Sequence, residues 1–165
     1  MKMKKQEFCK NFGLSTKQFY GEEVIERSLD LSGITRIPKG FNPVVRGNLY
    51  LGNVINIPKG FNPIVGGILN LSSTKKIPAG FNPIVGGFLD LRSVISIPKG
   101  FNPVVGRFLD LSGAISIAKG FNPTVGGWLD LRSVTRISKG FNPTVGGATF
   151  LNKAIKTPKG LNNFI

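Results

Sequence analysis

LDLRSVISIPKGFNPVVGRF, residues 89–108, decides the fold, because this 20-residue unit recurs from Leu29 almost to the end of the chain. First positions fall at Leu29, Leu49, Leu69, Leu89, Leu109, Leu129 and Thr149, with no insertion or deletion. A period this strict specifies one supersecondary unit stacked on copies of itself, since a single copy cannot bury its own apolar side. The expected fold class is all-β, a parallel β-solenoid of roughly six to seven coils spanning 29–165, with a helical N-terminal cap and degenerate half-coil at 1–28.

Numbering each unit from its leucine sorts the columns. Positions 1 and 3 are Leu (Leu89, Leu91), 9 is Ile (Ile97), 13 is Phe (Phe101) and 17 is Val (Val105). These scarcely vary and form the expected interior, with position 6 (Thr74, Val94, Ala114) a smaller inward site. Around the leucines the spacing is two. Val125, Gly127, Leu129 and Leu131 point one way and Gly126, Trp128, Asp130 and Arg132 the other, as in a strand with one buried face. A second short strand, such as Val94 to Ile97, precedes the PKGFNP turn. There Pro98 ends the ladder, Gly100 supplies a positive φ and Pro103 presets the next extended segment. Asn fills position 14 from Asn42 to Asn162, and stacked asparagines bond their neighbours' amides.

Coils about 4.8 Å apart make a rod roughly 30 Å long whose open ends need covering. Phe8 and Phe12 lie four apart on an expected helix that stops at Gly13, and Ser15 caps a second helix carrying Phe19 and Tyr20. Cys9, Gly13, Leu14, Ser15 and Phe19 also have helix-turn-helix spacing, but Gly21 leaves that second helix too short to read bases. Val24 and Ile25 fall in phase with Val44 and Val45, so Gly21 to Ser28 is read as a half-coil. In the last copy Leu161 and Asn163 replace Phe and Pro, and the chain ends in Phe164 and Ile165. No polar cap is apparent there, so Phe164 and Ile165 are candidates for an end-to-end contact, including a homodimer.

The segment LDLSGITRIPKGFNP, Leu29 to Pro43, resembles a leucine-rich repeat. The run Leu29-x-Leu31-x-x-Ile34-x-x-Ile37-Pro38 is shorter than that signature and lacks its Asn, which favours a closed solenoid over an open horseshoe. The unit IPKGFNPxVGGxLDL and the opening KKQEFCKNFGLSTKQFYGEE together resemble a group of 20-residue leucine-rich-like repeat proteins of bacteria and their phages. For a small basic protein, that resemblance implies an inhibitor of a host defence system, RNA-guided nucleases included (anti-CRISPR-like), acting in the host cytoplasm.

Composition narrows the chemistry. The 165 residues carry a formal charge of +14, no histidine and one cysteine, Cys9, which fits a reducing cytoplasm. No signal peptide and no apolar run of membrane-spanning length are seen. Without His, and with a lone Cys, the usual nucleophile–base pairs cannot be assembled, so neither catalysis nor a cofactor is expected. Asp90, Asp110 and Asp130 stack at the coil spacing, yet Arg92, Ser112 and Arg132 lie two residues on, and cross-strand charge pairing explains them without a metal. The Gly-Gly steps recur in every coil and are read as packing features.

Two columns exceed what folding requires. Position 20 faces outward: Asn48, Ile68, Phe88, Phe108, Trp128 and Ala148. Phe88, Phe108 and Trp128 are expected to form a ring ladder, extended by Tyr50 and Phe150 and bordered by Arg92, Arg107 and Arg132. Such a surface suits partner binding, though ring pairs also stabilise a sheet. Position 11 carries Lys39, Lys59, Lys99, Lys119, Lys139 and Lys159, with Arg36, Lys76, Arg136 and Lys156 nearby at position 8. This stripe suits a polyanion, though it also keeps a rod soluble. The expected function is therefore non-enzymatic binding of an acidic or nucleic-acid-binding protein. The alternative is direct RNA or DNA binding by the lysines.

Overall fold

The computed structural model describes residues 4–152. It is a parallel β-solenoid preceded by two short helices, α1 (Lys5–Phe12) and α2 (Thr16–Tyr20). Helix α1 ends at Gly13 in the left-handed conformation (φ 61°), where the Gly13 and Leu14 amides return to the Lys10 and Cys9 carbonyls. A capping box opens α2: the Gln18 amide donates to Ser15 Oγ, and the Gln18 side chain accepts from the Ser15 amide. Phe8 and Phe19 are fully buried and meet the Phe41 ring at 5.0 and 5.2 Å. The helices thus cover the N-terminal end of the solenoid core.

Each complete coil has three sides. Position 16–17 segments form a seven-stranded sheet from Val24–Ile25 to Thr144–Val145, and the segments around position 1 form a second, from Leu29–Asp30 to Thr149–Leu151. A third side is a three-stranded sheet of Ser96–Ile97, Ser116–Ile117 and Arg136–Ile137, preceded by the bridges Arg36↔Asn56↔Lys76. Among the described residues each strand pairing is parallel with a 20-residue offset, as in Val104↔Thr124 and Leu109↔Leu129. The half-coil joins this register through Val24↔Val44 and Ile25↔Val45.

Two local expectations change. The continuous strand from Val125 to Arg132 is two strands, Thr124–Val125 and Trp128–Leu131, on different sides of the solenoid. The chain bends at Gly126 and Gly127, yet the alternation survives the bend, with Val125, Leu129 and Leu131 buried and Trp128 exposed. The second strand is only Ser96–Ile97, because the Val94 amide is spent in a turn on the Leu91 carbonyl at 3.0 Å.

The interior is an unbroken column. Phe41, Phe61, Phe81, Phe101, Phe121 and Phe141 stack with centroids 6.3, 6.2, 5.9, 5.9 and 5.9 Å apart. Beside them the Asn ladder forms as expected: Asn62, Asn82 and Asn102 amides donate to Oδ1 of the preceding Asn at 2.6, 2.6 and 2.5 Å. Position 18 shows why glycine is needed at the bend. A Cβ on Gly106 would stand 2.1 Å from the Gly86 carbonyl oxygen, inside any tolerable contact. Among the described residues no helix is long and apolar enough to cross a membrane.

Candidate interaction surfaces

Alternation in the second sheet turns positions 20 and 2 outward, and this is where the rings lie. Phe108 and Trp128 are 37% and 53% exposed, with ring centroids 5.0 Å apart. Trp128 meets Phe150 edge-on at 6.1 Å. The ring contacts therefore run Phe108–Trp128–Phe150. Phe88, expected in the ladder, pairs in backbone register with Phe108 but is half-buried and makes no ring contact with it. Ile68 and Tyr50 are also half-buried. Tyr50 Oη accepts from Asn48 Nδ2 at 2.7 Å, and Asn48 Oδ1 accepts from the Ile68 amide at 2.8 Å, so a polar network occupies the N-terminal end of the face.

The three bordering arginines differ. Arg92 grips Asp90 at 2.6–3.0 Å and reaches Asp110 at 3.9 Å, while Arg132 holds Asp130 in the same two-pronged way. Hydrogen bonding to those carboxylates, reinforced by their charge, pushes both guanidinium pKa values further up. Both charges are largely answered within the chain. The exposed Arg107 makes no ion pair among the described residues and is the free cation of this face. The pairing corrects the cross-strand expectation, because each Asp mainly serves the residue two on in its own coil. Asp110 Oδ1, for example, accepts from the Ser112 amide at 2.9 Å, and Asn70 does the same for Ser72 at 3.0 Å. Position 2 is a turn-making column, in which an Asx side chain replaces a backbone acceptor. Among the described residues no group of three or more His, Cys, Asp or Glu side chains could hold a metal ion.

The third side is chemically opposite. Lys39, Lys59, Lys99, Lys119 and Lys139 are all exposed, as are Arg36, Lys75, Lys76 and Arg136, and none has an ion-pair partner among the described residues. Every carboxylate of the sequence lies elsewhere: Glu7, Glu22, Glu23 and Glu26 in the leader, and Asp30, Asp90, Asp110 and Asp130 on the second sheet. Lys156, Lys159, Phe164 and Ile165 lie outside the described residues. Helix α2 has only five residues and buries Phe19, so it belongs to the core cover rather than to a groove-reading helix.

Two exposed aliphatic rows went unread in the sequence. Position 16 presents Val24, Ile64, Ile84 and Val104, and position 7 presents Ile55, Ile95 and Ile115. The signal for the first was available, since position 17 points inward and its neighbour must point outward. Also unread was an open cleft of about 820 Å³ where α1 meets the first coil, with Lys5, Arg36 and Lys39 around Phe8, Ile34 and Ile37. Comparison of the chain with protein-family models, curated proteins and solved structures found no match.

Proposed function

We propose that this protein works by binding rather than catalysis, as a rigid scaffold whose second-sheet face captures a macromolecular partner. The observation that carries the proposal is the ring group Phe108–Trp128–Phe150, exposed at Phe108 and Trp128 and half-buried at Phe150, beside the unpaired Arg107. Tryptophan and arginine are preferred anchors of interfaces, and contiguous exposed rings are uncommon on a surface that stays in water. The partner is an acidic or nucleic-acid-binding protein, drawn in by the +14 charge. The narrower form, carried by the resemblance of the repeat, is a phage-type inhibitor of a host nucleic-acid-handling defence protein in the host cytoplasm. Capture from host lysate by the tagged protein and by the Phe108→Ala/Trp128→Ala variant tests it. The double variant is expected to fold and lose the partner, and unchanged capture removes the ring group from the proposal.

A second reading has its own observation, the third side with lysines in nearly every coil and no carboxylate. Like charges one coil apart repel, and a nucleic acid would relieve that repulsion and release counterions. Binding of single-stranded RNA by Lys99→Glu/Lys119→Glu, measured against salt, decides it. Weaker binding with a shallower salt slope supports the reading, and an unchanged slope ends it.

A further inference from the structure

The solenoid starts unevenly. The half-coil Gly21–Ser28 supplies a strand to the first sheet, Val24–Ile25, and the chain enters the second sheet at Leu29. The third side starts only with the bridge at Arg36, whose partner is Asn56 in the coil above. Among the described residues, the segment from Thr35 to Ile37 therefore has no strand partner on its N-terminal side. Helix α1 covers the core there, through Phe8 on Phe41, but leaves the cleft of about 820 Å³ open against this edge. That volume lies within the roughly 300–1,000 Å³ of ligand-binding clefts.

We propose that this cleft takes up an extended acidic peptide segment, which adds as a strand to the Thr35–Ile37 edge. An unpaired strand edge recruits another backbone, because its amides and carbonyls gain partners only from a chain in extended conformation. The rim gives the charge: Lys5, Arg36 and Lys39 line the cleft, and no carboxylate does. Lys5 Nζ stands 5.2 Å from the centroid of the Tyr20 ring, which holds one cation at the entrance. Ile34, Ile37, Pro38 and Pro58 form an apolar floor over the buried Phe8, so alternate side chains of the incoming strand meet apolar surface and cations in turn. A nucleic acid satisfies the cations but offers no amide ladder. The site is separate from the second-sheet ring group and stands or falls independently of it.

The test uses the full chain and a fluorescein-labelled decapeptide of alternating Glu and Val, read by anisotropy. Comparators are the Lys–Val counterpart, the same Glu–Val peptide with alternate backbone N-methylation, and a uridine decamer. The Glu–Val peptide is expected to bind saturably, with slowed amide exchange at Thr35 and Ile37. Arg36→Glu/Lys39→Glu, at exposed positions, should weaken it by about tenfold or more, as charge-assisted bonds imply. N-methylation should weaken it comparably with the protein unaltered. Phe108→Ala/Trp128→Ala should leave the affinity unchanged. Equal binding of the Lys–Val peptide, indifference to N-methylation, loss in the ring variant, or binding of the uridine decamer in place of the peptide would each overturn the proposal.

Discussion

Replacing Phe101 by Ala should cut the rod in two. Its ring is 1% exposed and stacks on Phe81 and Phe121 at 5.9 Å on each side, within 3° and 5° of parallel. Removing a buried Phe side chain costs about 3–5 kcal/mol, and each ring contact adds about 0.5–1.5 kcal/mol beyond its area. Because two contacts are lost at once, the upper part of that range is expected. Whole domains hold only about 5–15 kcal/mol, and a repeat array couples only neighbouring coils. The deficit should therefore uncouple the coils on either side. Trp128, the single tryptophan, lies on the C-terminal side of the break and reports that half by fluorescence, while far-UV circular dichroism reports the whole chain. In urea the wild type should give coincident transitions. In Phe101→Ala the tryptophan transition should come at a different urea concentration from the circular-dichroism one. Phe101→Leu, the residue found at position 13 in Leu161, should cost less and keep the transitions together. Coincident transitions in Phe101→Ala with a loss below about 1 kcal/mol would refute the continuous phenylalanine column as the source of cohesion.

Glycine substitutions should divide by position. Gly106→Ala drives a Cβ to 2.1 Å from the Gly86 carbonyl oxygen and should destabilise by about 1–3 kcal/mol or more, whereas Gly33→Ala meets nothing within 4 Å and should be neutral or stabilising by up to about 1 kcal/mol in thermal melts. Asp30 gives the pH dependence. The Ser32 backbone amide, donating to its carboxylate at 2.8 Å, lowers its pKa below 3.8, so its contribution is present above the unfolded value and is lost as pH falls through the lower folded one. Asp30→Asn keeps an acceptor of the kind Asn70 provides but not its charge, and urea midpoints measured against pH should show a small loss at neutral pH with a shallower decline below about pH 4.

The fold was legible because its determinants are periodic. Leu, Ile, Phe and Val recur at fixed positions with alternating direction, and Gly13 and Ser15 are local stop and start signals. Three-sidedness was less legible, since the bend at Gly126–Gly127 arises from close approach between coils, a contact that column statistics do not contain. The rings were found by column, but their contacts were not. Whether Phe88 touches Phe108 depends on rotamers, and whether Arg132 is free depends on Asp130 curling back within its own turn. The cleft was invisible for a simpler reason. It belongs to no column, because it arises where the half-coil gives the third side no strand and α1 covers only the core.

The separation of scaffold from binding surface can be measured without knowing the partner, through the unfolding free energy of Phe108→Ala/Trp128→Ala. Rings that are 37% and 53% exposed and paired across strands should contribute only about 1–2 kcal/mol together, well below the loss expected for Phe101→Ala. A loss as large as that of the buried column would make the rings part of the scaffold and contradict their assignment to binding.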